Sequence, residues 1–113
     1  MKNIIVVTGG AGFVGSNLID YLLKKTLLNI ISIDNYSTGS KKNHIKNRRV
    51  KYIRSHTKKI SKVLKNYESK IHSLFHFGEF ARIYQSFLKM NECLNSNTIG
   101  SNEVFNFCLS NNI

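Results

Sequence analysis

The chain has 113 residues, enough for one small domain and too few for an enzyme built from two lobes. Its formal net charge is +11, from 17 Lys and Arg against 6 Asp and Glu. A basic balance of this size points towards nucleic acid, but no base-stacking motif or helix-turn-helix pattern accompanies it. Because the chain is also rich in Asn and Ile and has no Pro or Trp, compositional bias explains the charge better than a binding face.

Cysteine usage and hydropathy exclude further classes. Cys93 and Cys108 have no second Cys or His at a ligand spacing, so the sequence predicts reduced thiols and no metal site. The apolar stretch 4–7 is too short for a signal peptide, and no apolar run reaches the length of a membrane span. We therefore predict a cytoplasmic protein without a membrane partner.

The first predicted unit is a strand followed by a helix. Residues 4–7 are β-branched throughout, which is typical of a strand buried on both faces of a parallel sheet. A helix is predicted over residues 13–25, because Val14, Leu18 and Leu22 recur at helical spacing, with Tyr21 on the same face. That face is expected to pack against the sheet.

The turn between this strand and helix is rich in glycine. Gly9-x-x-Gly12-x-x-Gly15 and Gly10-x-Gly12-x-x-Gly15 both fit, so the pattern leaves open which glycine begins the turn. Such glycines allow a sharp turn, close approach of the backbone to a pyrophosphate, and tight packing of helix on strand. The N–H groups at the helix start would then face the phosphates. The alternative is an ordinary glycine-rich turn.

A carboxylate supports the cofactor interpretation. A second strand is predicted over residues 30–33, and Asp34 follows it about 20 residues after Gly15, where a dinucleotide fold places the acid that binds the adenosine ribose diol. A carboxylate there would also repel a 2′-phosphate, so NAD is favoured over NADP. The alternative is a solvated acidic loop residue.

The remaining elements continue the alternation of strand and helix. Strands are predicted over residues 50–54 and 71–77, a helix over 60–67, and helical segments from about residue 81 onward. Residues 36–47 form a polar loop with too little apolar content for a packed element, in which Lys41 and Lys42 are expected to be solvated. This alternation predicts an α/β, doubly wound parallel sheet of order 3-2-1-4, with a ligand crevice between strands one and four.

Several motifs together identify a family resemblance. Residues 8–15 (TGGAGFVG) and 34–39 (DNYSTG) resemble the start of the NAD-dependent epimerase/dehydratase family, the extended short-chain dehydrogenases/reductases, and the second motif most resembles UDP-hexose 4-epimerases. Residues 74–78 (LFHFG) resemble the family's fourth strand, and Asn97-x-x-Gly100 resembles its Asn-x-x-Gly helix. The resemblance implies a Rossmann-like NAD(P)-binding domain over residues 1–113, with NAD as cofactor and a nucleotide sugar as the substrate of the whole enzyme.

The resemblance also implies a set of cofactor-binding residues. Grouped by the part of NAD they would contact, these are Gly9, Gly12, Phe13, Val14 and Gly15 for the pyrophosphate, Asp34, Asn35 and Ser37 for the adenosine ribose, His56 and Thr57 for adenine, Phe77 and Gly78 for the span between adenosine and nicotinamide, and Asn97 for the nicotinamide ribose. For Asn97 the alternative is a helix cap.

Two positions, His56 and Glu79, depart from the family pattern, and a third, His76, has a histidine whose role must be weighed. The family usually has an aspartate where His56 stands, accepting a hydrogen bond from the adenine amino group. A neutral imidazole accepts at one nitrogen and a protonated one at none, so we expect weaker adenine recognition. His76, between two phenylalanines, is predicted to be a buried, hydrogen-bonded histidine rather than a ligand or base. Glu79 stands where the family usually has a small residue.

The family's proton-transfer residues are absent. They are a Ser or Thr on the fifth strand and a Tyr-x-x-x-Lys on the next helix, and the chain ends at Ile113, where that strand would begin. The one literal match, from Tyr21 to Lys25, lies on the first helix and is not expected to be catalytic. We therefore expect no catalytic residue in this domain.

We also expect an unpaired edge on the fourth strand, which would aggregate or recruit a partner such as a second copy.

Two alternatives to the NAD-binding part of an epimerase or dehydratase remain. One is a non-catalytic NAD-binding remnant, and the other is a basic RNA-binding protein, whose affinity would fall steeply with salt.

Overall fold

Four parallel strands form the centre of the molecule, in the order β3-β2-β1-β4. The strands are β1 (Ile4–Thr8), β2 (Asn29–Asp34), β3 (Val50–Arg54) and β4 (Ile71–His76). This is a computed structural model, and it describes residues 1–79 and 87–113. The predicted sheet and its order are confirmed, with β1 paired to β2 on one side and to β4 on the other.

Helices flank this sheet. They are α1 (Phe13–Lys25), α2 (Ile60–Val63), α3 (Met90–Leu94) and α4 (Ser101–Ser110), with a π-helical turn (Asn95–Gly100) between α3 and α4. Single 3₁₀ turns occur at Lys41–Asn43, Thr57–Lys59 and Glu68–Lys70. Within the described ranges, none of the helices is long and apolar enough to cross a membrane.

Two of the predicted helical regions differ in extent from the observed helices. The helix predicted over residues 60–67 ends earlier, at Val63, because the backbone of the C-cap residue Leu64 leaves the helical conformation, with φ −99° and ψ 10°. The chain then continues through turns, with Tyr67 N–H donating to the Leu64 carbonyl at 2.9 Å. The helical segments predicted from about residue 81 are found from Met90 onward, whereas 80–86 lie outside the described residues.

The core has two layers because β1 is buried on both faces. Successive side chains of a strand point to opposite faces, so Val6 joins one apolar cluster and Val7 the other. The first cluster is formed with α2 and α4 and includes Ile31, Ile33, Ile60, Leu64, Val104 and Phe107. The second is formed with α1 and includes Ile5, Ile19, Leu22, Leu23 and Ile30.

The buried face of α1 is rotated from the predicted one. Gly15 and Ile19 face the sheet, whereas Val14 and Tyr21 are 56% and 57% exposed, so the prediction that these two pack against the sheet was wrong. The rotation follows from the turn, because a Cβ at Gly15 would overlap the carbonyl oxygen of Gly9. The helix can approach the strand this closely only through its glycine.

Arg49 holds the end of α1 against the start of β3. Its guanidinium donates to the carbonyls of Leu23 at 2.6 Å, Thr26 at 2.9 Å and Leu28 at 3.0 Å. The last carbonyls of a helix have no partner within the helix, so a cation at this end stabilises it both by hydrogen bonding and through the helix dipole.

Arg49→Ala should therefore lower the free energy of unfolding by about 2 kcal/mol. Urea denaturation followed by circular dichroism would measure the loss. Arg48→Ala, which removes the same charge from an exposed neighbour, is the matched control and should change stability little. Equal losses in the two variants would contradict the capping role.

The two edges of the sheet differ in chemistry. Edge strand β3 exposes Lys51 and Arg54, and charged side chains on an edge discourage pairing with another chain. Edge strand β4 contains no Lys or Arg and exposes Phe75. Beside it, Phe105 of α4 is 59% exposed, with its ring centroid 6.2 Å from that of His76. Edge β4 therefore lacks the protection that β3 has.

Candidate functional site

A crevice opens at the carboxyl ends of β1, β2 and β4, where the sequence predicts the ligand. Most of the predicted cofactor-binding residues line it, namely Gly9, Gly12, Asp34, Asn35, Ser37, His56, Thr57, Phe77 and Gly78. Ile33, Thr38, Ser55, Glu79 and Ser96 complete the lining. The predicted residues outside the lining are Phe13, Val14, Gly15 and Asn97.

The turn after β1 begins at Gly9, which settles the choice that the sequence pattern left open. Gly9 has φ +72°, and a Cβ at this position would lie 2.6 Å from the Phe77 carbonyl oxygen. Its N–H donates to the Ile33 carbonyl at 2.7 Å, and its carbonyl accepts from Gly12 N–H at 3.1 Å. The turn is thus fixed between the ends of β2 and β4.

The start of α1 presents unpaired backbone donors beside the crevice. Gly12 is the N-cap, no side chain caps the helix among the residues described, and its first turn has no acidic residue. The first helical N–H groups have no partner within a helix, and the helix dipole adds partial positive charge there. Because the side chains of Phe13 and Val14 are exposed, this end can receive an anion through its backbone.

Asp34 ends β2 and joins it to the glycine turn. Its Oδ2 accepts from Ala11 N–H at 3.0 Å, and its Oδ1 accepts from Tyr36 N–H at 2.8 Å. An ionised carboxylate has about four acceptor positions, two on each oxygen. One position on each oxygen therefore remains for another donor, an arrangement that suits the two hydroxyls of a ribose diol.

The loop after Asp34 is packed, contrary to the prediction of a loop without a packed element. Tyr36 has φ 61°, and its hydroxyl lies 2.6 Å from His44 Nε2. The His44 ring stacks on Tyr52 at 3.8 Å, and the Arg54 guanidinium lies 4.5 Å from the centre of the Tyr36 ring. Burial, followed by the charge of Asp34, raises the pKa of Tyr36. These ring contacts hold the loop beside the crevice.

The same loop clamps the glycine turn at Ala11. The Ala11 carbonyl accepts from Ser40 N–H at 3.0 Å and from Asn43 Nδ2 at 2.8 Å. Sequence reasoning missed both residues, because no local pattern links them to a turn about 30 residues away. The Asx turns at Asp34 and Asn35 could have been found, since Asp and Asn commonly accept from the N–H two residues ahead.

His56 uses both ring nitrogens within the chain. Nδ1 accepts from Lys58 N–H at 3.1 Å, and Nε2 lies 3.3 Å from Ser96 Oγ, to which it donates. Burial, followed by the charge of Lys58, lowers the pKa of His56, which favours the neutral ring. A neutral imidazole has one acceptor nitrogen. That nitrogen is occupied, so the His56 side chain has no acceptor left for a ligand amino group.

His76 lies in a hydrogen-bond network that runs from the crevice to α4. Gly78 N–H donates to Thr8 Oγ1 at 3.0 Å, and Thr8 Oγ1 lies 2.6 Å from His76 Nδ1. His76 Nε2 lies 2.9 Å from Ser101 Oγ, which donates to Glu79 Oε1 at 2.9 Å.

The two ends of this network fix its direction, because an amide N–H only donates and a carboxylate only accepts. Thr8 therefore donates to His76 Nδ1, and His76 Nε2–H donates to Ser101. Burial lowers the pKa of His76, while the Glu79 charge acts in the opposite direction. The prediction of a hydrogen-bonded histidine is confirmed, and its side chain is largely but not fully buried, at 12% exposed.

The last helical segment contributes Ser96 to the crevice lining in place of the predicted Asn97. Gly100, Val104 and Phe107 are buried and Cys108 is half-buried. Asn97 lies inside the π-helical turn, with Nδ2 3.6 Å from Cys93 Sγ, so the helix-cap alternative is wrong. Both cysteines are free thiols, as predicted.

A parallel sheet of order 3-2-1-4, with a glycine turn joining β1 to α1, is the first half of a Rossmann-type nucleotide-binding fold. The profile of the "NAD dependent epimerase/dehydratase family" matches residues 5–113. The chain belongs to this family.

Similar proteins include sugar-nucleotide enzymes. UDP-glucuronic acid decarboxylase 6 of Arabidopsis thaliana is 56% identical over 39 residues, which are 34% of this chain and 11% of the relative. The putative UDP-glucose 4-epimerase of Methanocaldococcus jannaschii is 48% identical over 40 residues, 35% of this chain and 13% of the relative.

Solved structures share the fold over nearly the whole chain. The UDP-glucose 4-epimerase of Thermotoga maritima, solved with UDP-glucose, superposes with a TM-score of 0.85 at 25% identity, covering 97% of this chain and 35% of its own. The UDP-glucose 4-epimerase of Thermus thermophilus, solved in complex with NAD, superposes with a TM-score of 0.82 at 22% identity. The match covers 97% of this chain and 35% of the Thermus chain. The chain thus spans about a third of the length of these enzymes.

Proposed function

We propose that this chain is the NAD-binding part of a nucleotide-sugar epimerase or dehydratase. The observation that carries the proposal is the position of Asp34, whose carboxylate is held by Ala11 N–H at 3.0 Å and keeps an acceptor position on each oxygen. This hydrogen bond ties Asp34, at the proposed ribose end of the crevice, to the glycine turn at the proposed phosphate end. Family membership and the structural likeness to an NAD complex of a related enzyme support the same cofactor.

The residues present fit NAD. The start of α1 offers N–H groups to the pyrophosphate, and Gly9 and Gly12, which have no side chains, line the crevice beside it. Asp34 would bind the adenosine ribose, with Asn35 and Ser37 beside it. When bound, NAD takes up a hydride from a sugar carbon and returns it. The contribution of this chain is to bind and orient the dinucleotide.

Proton transfer would come from residues outside this part. The lining of the crevice, as far as the structure describes it, contains no Tyr or Lys. In the full enzyme we propose oxidation and re-reduction at C4 of a UDP-hexose-like nucleotide sugar. The alternative is a non-catalytic NAD-binding module. If the 113-residue chain turned over a nucleotide sugar, this alternative would be wrong. The assignment of proton transfer to residues outside this part would be wrong as well.

The test is titration calorimetry of the chain with NAD and NADP. We expect NAD to bind and NADP to bind at least about 10-fold more weakly, because the 2′-phosphate would meet the Asp34 carboxylate. Circular dichroism establishes that the protein used is folded. A folded chain that binds neither dinucleotide, or binds both equally, would contradict the proposal.

We further propose that edge β4 is an association surface of the isolated chain. This strand exposes Phe75 and has no Lys or Arg side chain to discourage pairing with another chain. We therefore expect size-exclusion chromatography with light scattering to find oligomers or aggregates. Phe75→Lys should raise the fraction of monomer. Leu27→Lys makes the same kind of change at a 92% exposed position away from this edge and should leave the fraction unchanged. A monomeric wild-type chain would contradict this proposal.

A further inference from the structure

The crevice is acidic although the chain is strongly basic. The formal net charge is +11, yet the described lining of the crevice includes no Lys or Arg, and its charged residues are Asp34 and Glu79. Asp34 is committed to the ribose end in the proposed function. Glu79 has no part in that function and lies at the end of the crevice beside Phe77 and Gly78.

Glu79 is held in place from behind. Its Oε1 accepts from Ser101 Oγ at 2.9 Å, and Ser101 is only 5% exposed. Ser101 is itself oriented by His76 Nε2 at 2.9 Å, and His76 by the fully buried Thr8. If Glu79 turned away, the Ser101 hydroxyl would lose its hydrogen-bond acceptor. The network would then no longer end on a carboxylate. The Glu79 side chain is nevertheless 47% exposed, so its charge is felt in the crevice.

Among the residues that the structure describes, the phosphate end of the crevice has only weak positive charge to oppose the Glu79 carboxylate. Phe77, two residues before Glu79, lies over the glycine turn, because its carbonyl oxygen would be 2.6 Å from a Cβ at Gly9. Within residues 1–79 and 87–113, the groups that would face a pyrophosphate there are backbone N–H groups and the positive end of the α1 dipole, which amounts to about half a charge. A full negative charge held in the same crevice therefore acts against a ligand with two anionic phosphates.

We propose that Glu79 is a specificity-determining residue that weakens binding of diphosphate-containing nucleotides. The inference rests on the proposed function, since it assumes that the diphosphate of NAD occupies the glycine turn. It makes Glu79 an affinity-lowering element of this chain, so neutralising it tightens binding. A gain of affinity cannot arise from damage to the fold, and it separates this role from a merely structural one.

The experiment compares the wild-type chain with Glu79→Gln, which keeps an acceptor for Ser101, and Glu79→Ala, which does not. Glu68→Gln removes the same charge from a 3₁₀ turn outside the crevice and is the matched control. Calorimetric titration with NAD, ADP and adenosine separates charge from base recognition. We expect both Glu79 variants to bind NAD and ADP about 3- to 10-fold more tightly than the wild type. Adenosine affinity, and every affinity of the control, should stay unchanged.

The outcomes separate this inference from the function it rests on. If the wild type binds NAD but the Glu79 variants bind it no more tightly, the inference is wrong and the proposed function stands. An equal gain for adenosine would also overturn it, because the effect would not depend on phosphate charge. If no variant binds any of the three nucleotides, the proposed function fails and takes the inference with it.

Discussion

Gly15→Ala should destabilise the chain severely, whereas Gly12→Ala should leave it folded and weaken NAD binding. A Cβ at Gly15 would overlap the Gly9 carbonyl oxygen, and that oxygen belongs to the fixed turn between β1 and α1. Overpacking of a tight interior typically costs about 1–3 kcal/mol, and backbone in the path of the new atom puts this case at the upper end. A small parallel-sheet domain with few layers has little stability to spare.

Gly12 tests the opposite property of the same turn. A Cβ there would meet only the Gly9 carbonyl oxygen, at 3.4 Å, which is an ordinary contact, and the Gly12 φ of −84° is open to any residue. The new methyl group would instead stand in the crevice, where the pyrophosphate is proposed to approach the backbone. Urea denaturation and NAD titration of both variants measure the two effects. Loss of stability in Gly12→Ala, or an intact fold in Gly15→Ala, would contradict this account of the turn.

Asp34→Asn should weaken NAD binding by about 10- to 100-fold, the effect of losing hydrogen bonds to a charged group. Asparagine has one acceptor oxygen where aspartate has two, so it cannot serve both Ala11 N–H and Tyr36 N–H and still bind two ribose hydroxyls. The substitution also removes the charge that opposes a 2′-phosphate. The ratio of NAD to NADP affinity should therefore fall together with the NAD affinity itself.

The matched control is Asp20→Asn, which removes an equal charge from the exposed face of α1, where Asp20 pairs with Lys24 at 2.9 Å. Titration calorimetry with both dinucleotides measures the ratio, and thermal unfolding shows how much of the loss comes from the two backbone contacts. If Asp34→Asn kept the wild-type preference for NAD, the assignment of the ribose to Asp34 would be wrong. If the control lost as much affinity as Asp34→Asn, the effect would be one of total charge.

The sheet could be predicted from sequence because its signal is local. The β-branched stretch of β1 needs no partner to indicate a strand buried on both faces, and strands alternating with helices leave few topologies. The face of α1 could not be predicted in the same way. Helical spacing marks an apolar stripe to within a residue or so, but the contact of Gly15 with the Gly9 carbonyl fixes the rotation, and that contact depends on the path of the turn.

In the candidate site, too, residues marked by a local sequence pattern could be predicted and contacts between distant segments could not. Asp34 could be found because its distance along the chain from the glycine turn is set by one strand-helix-strand unit. The clamp of Asn43 on Ala11 and the bond of His56 to Ser96 could not, since each joins segments about 30 or 40 residues apart with no intervening pattern. The packed loop was missed because His44 stacks on Tyr52, and histidine is not counted as an apolar residue in a sequence pattern.

The central place of β1 also has a consequence in time. Val6 pairs with Ile31 on one side and with Leu74 on the other, so the first of these four strands along the chain is completed by the fourth. Until Leu74 has left the exit tunnel, β1 has one open side, and its apolar residues are available to chaperones or to other nascent chains. Pairings so far apart in sequence form slowly. Although β1 is made before the other three strands, we expect it to be among the last of them to become protected from amide hydrogen exchange during synthesis.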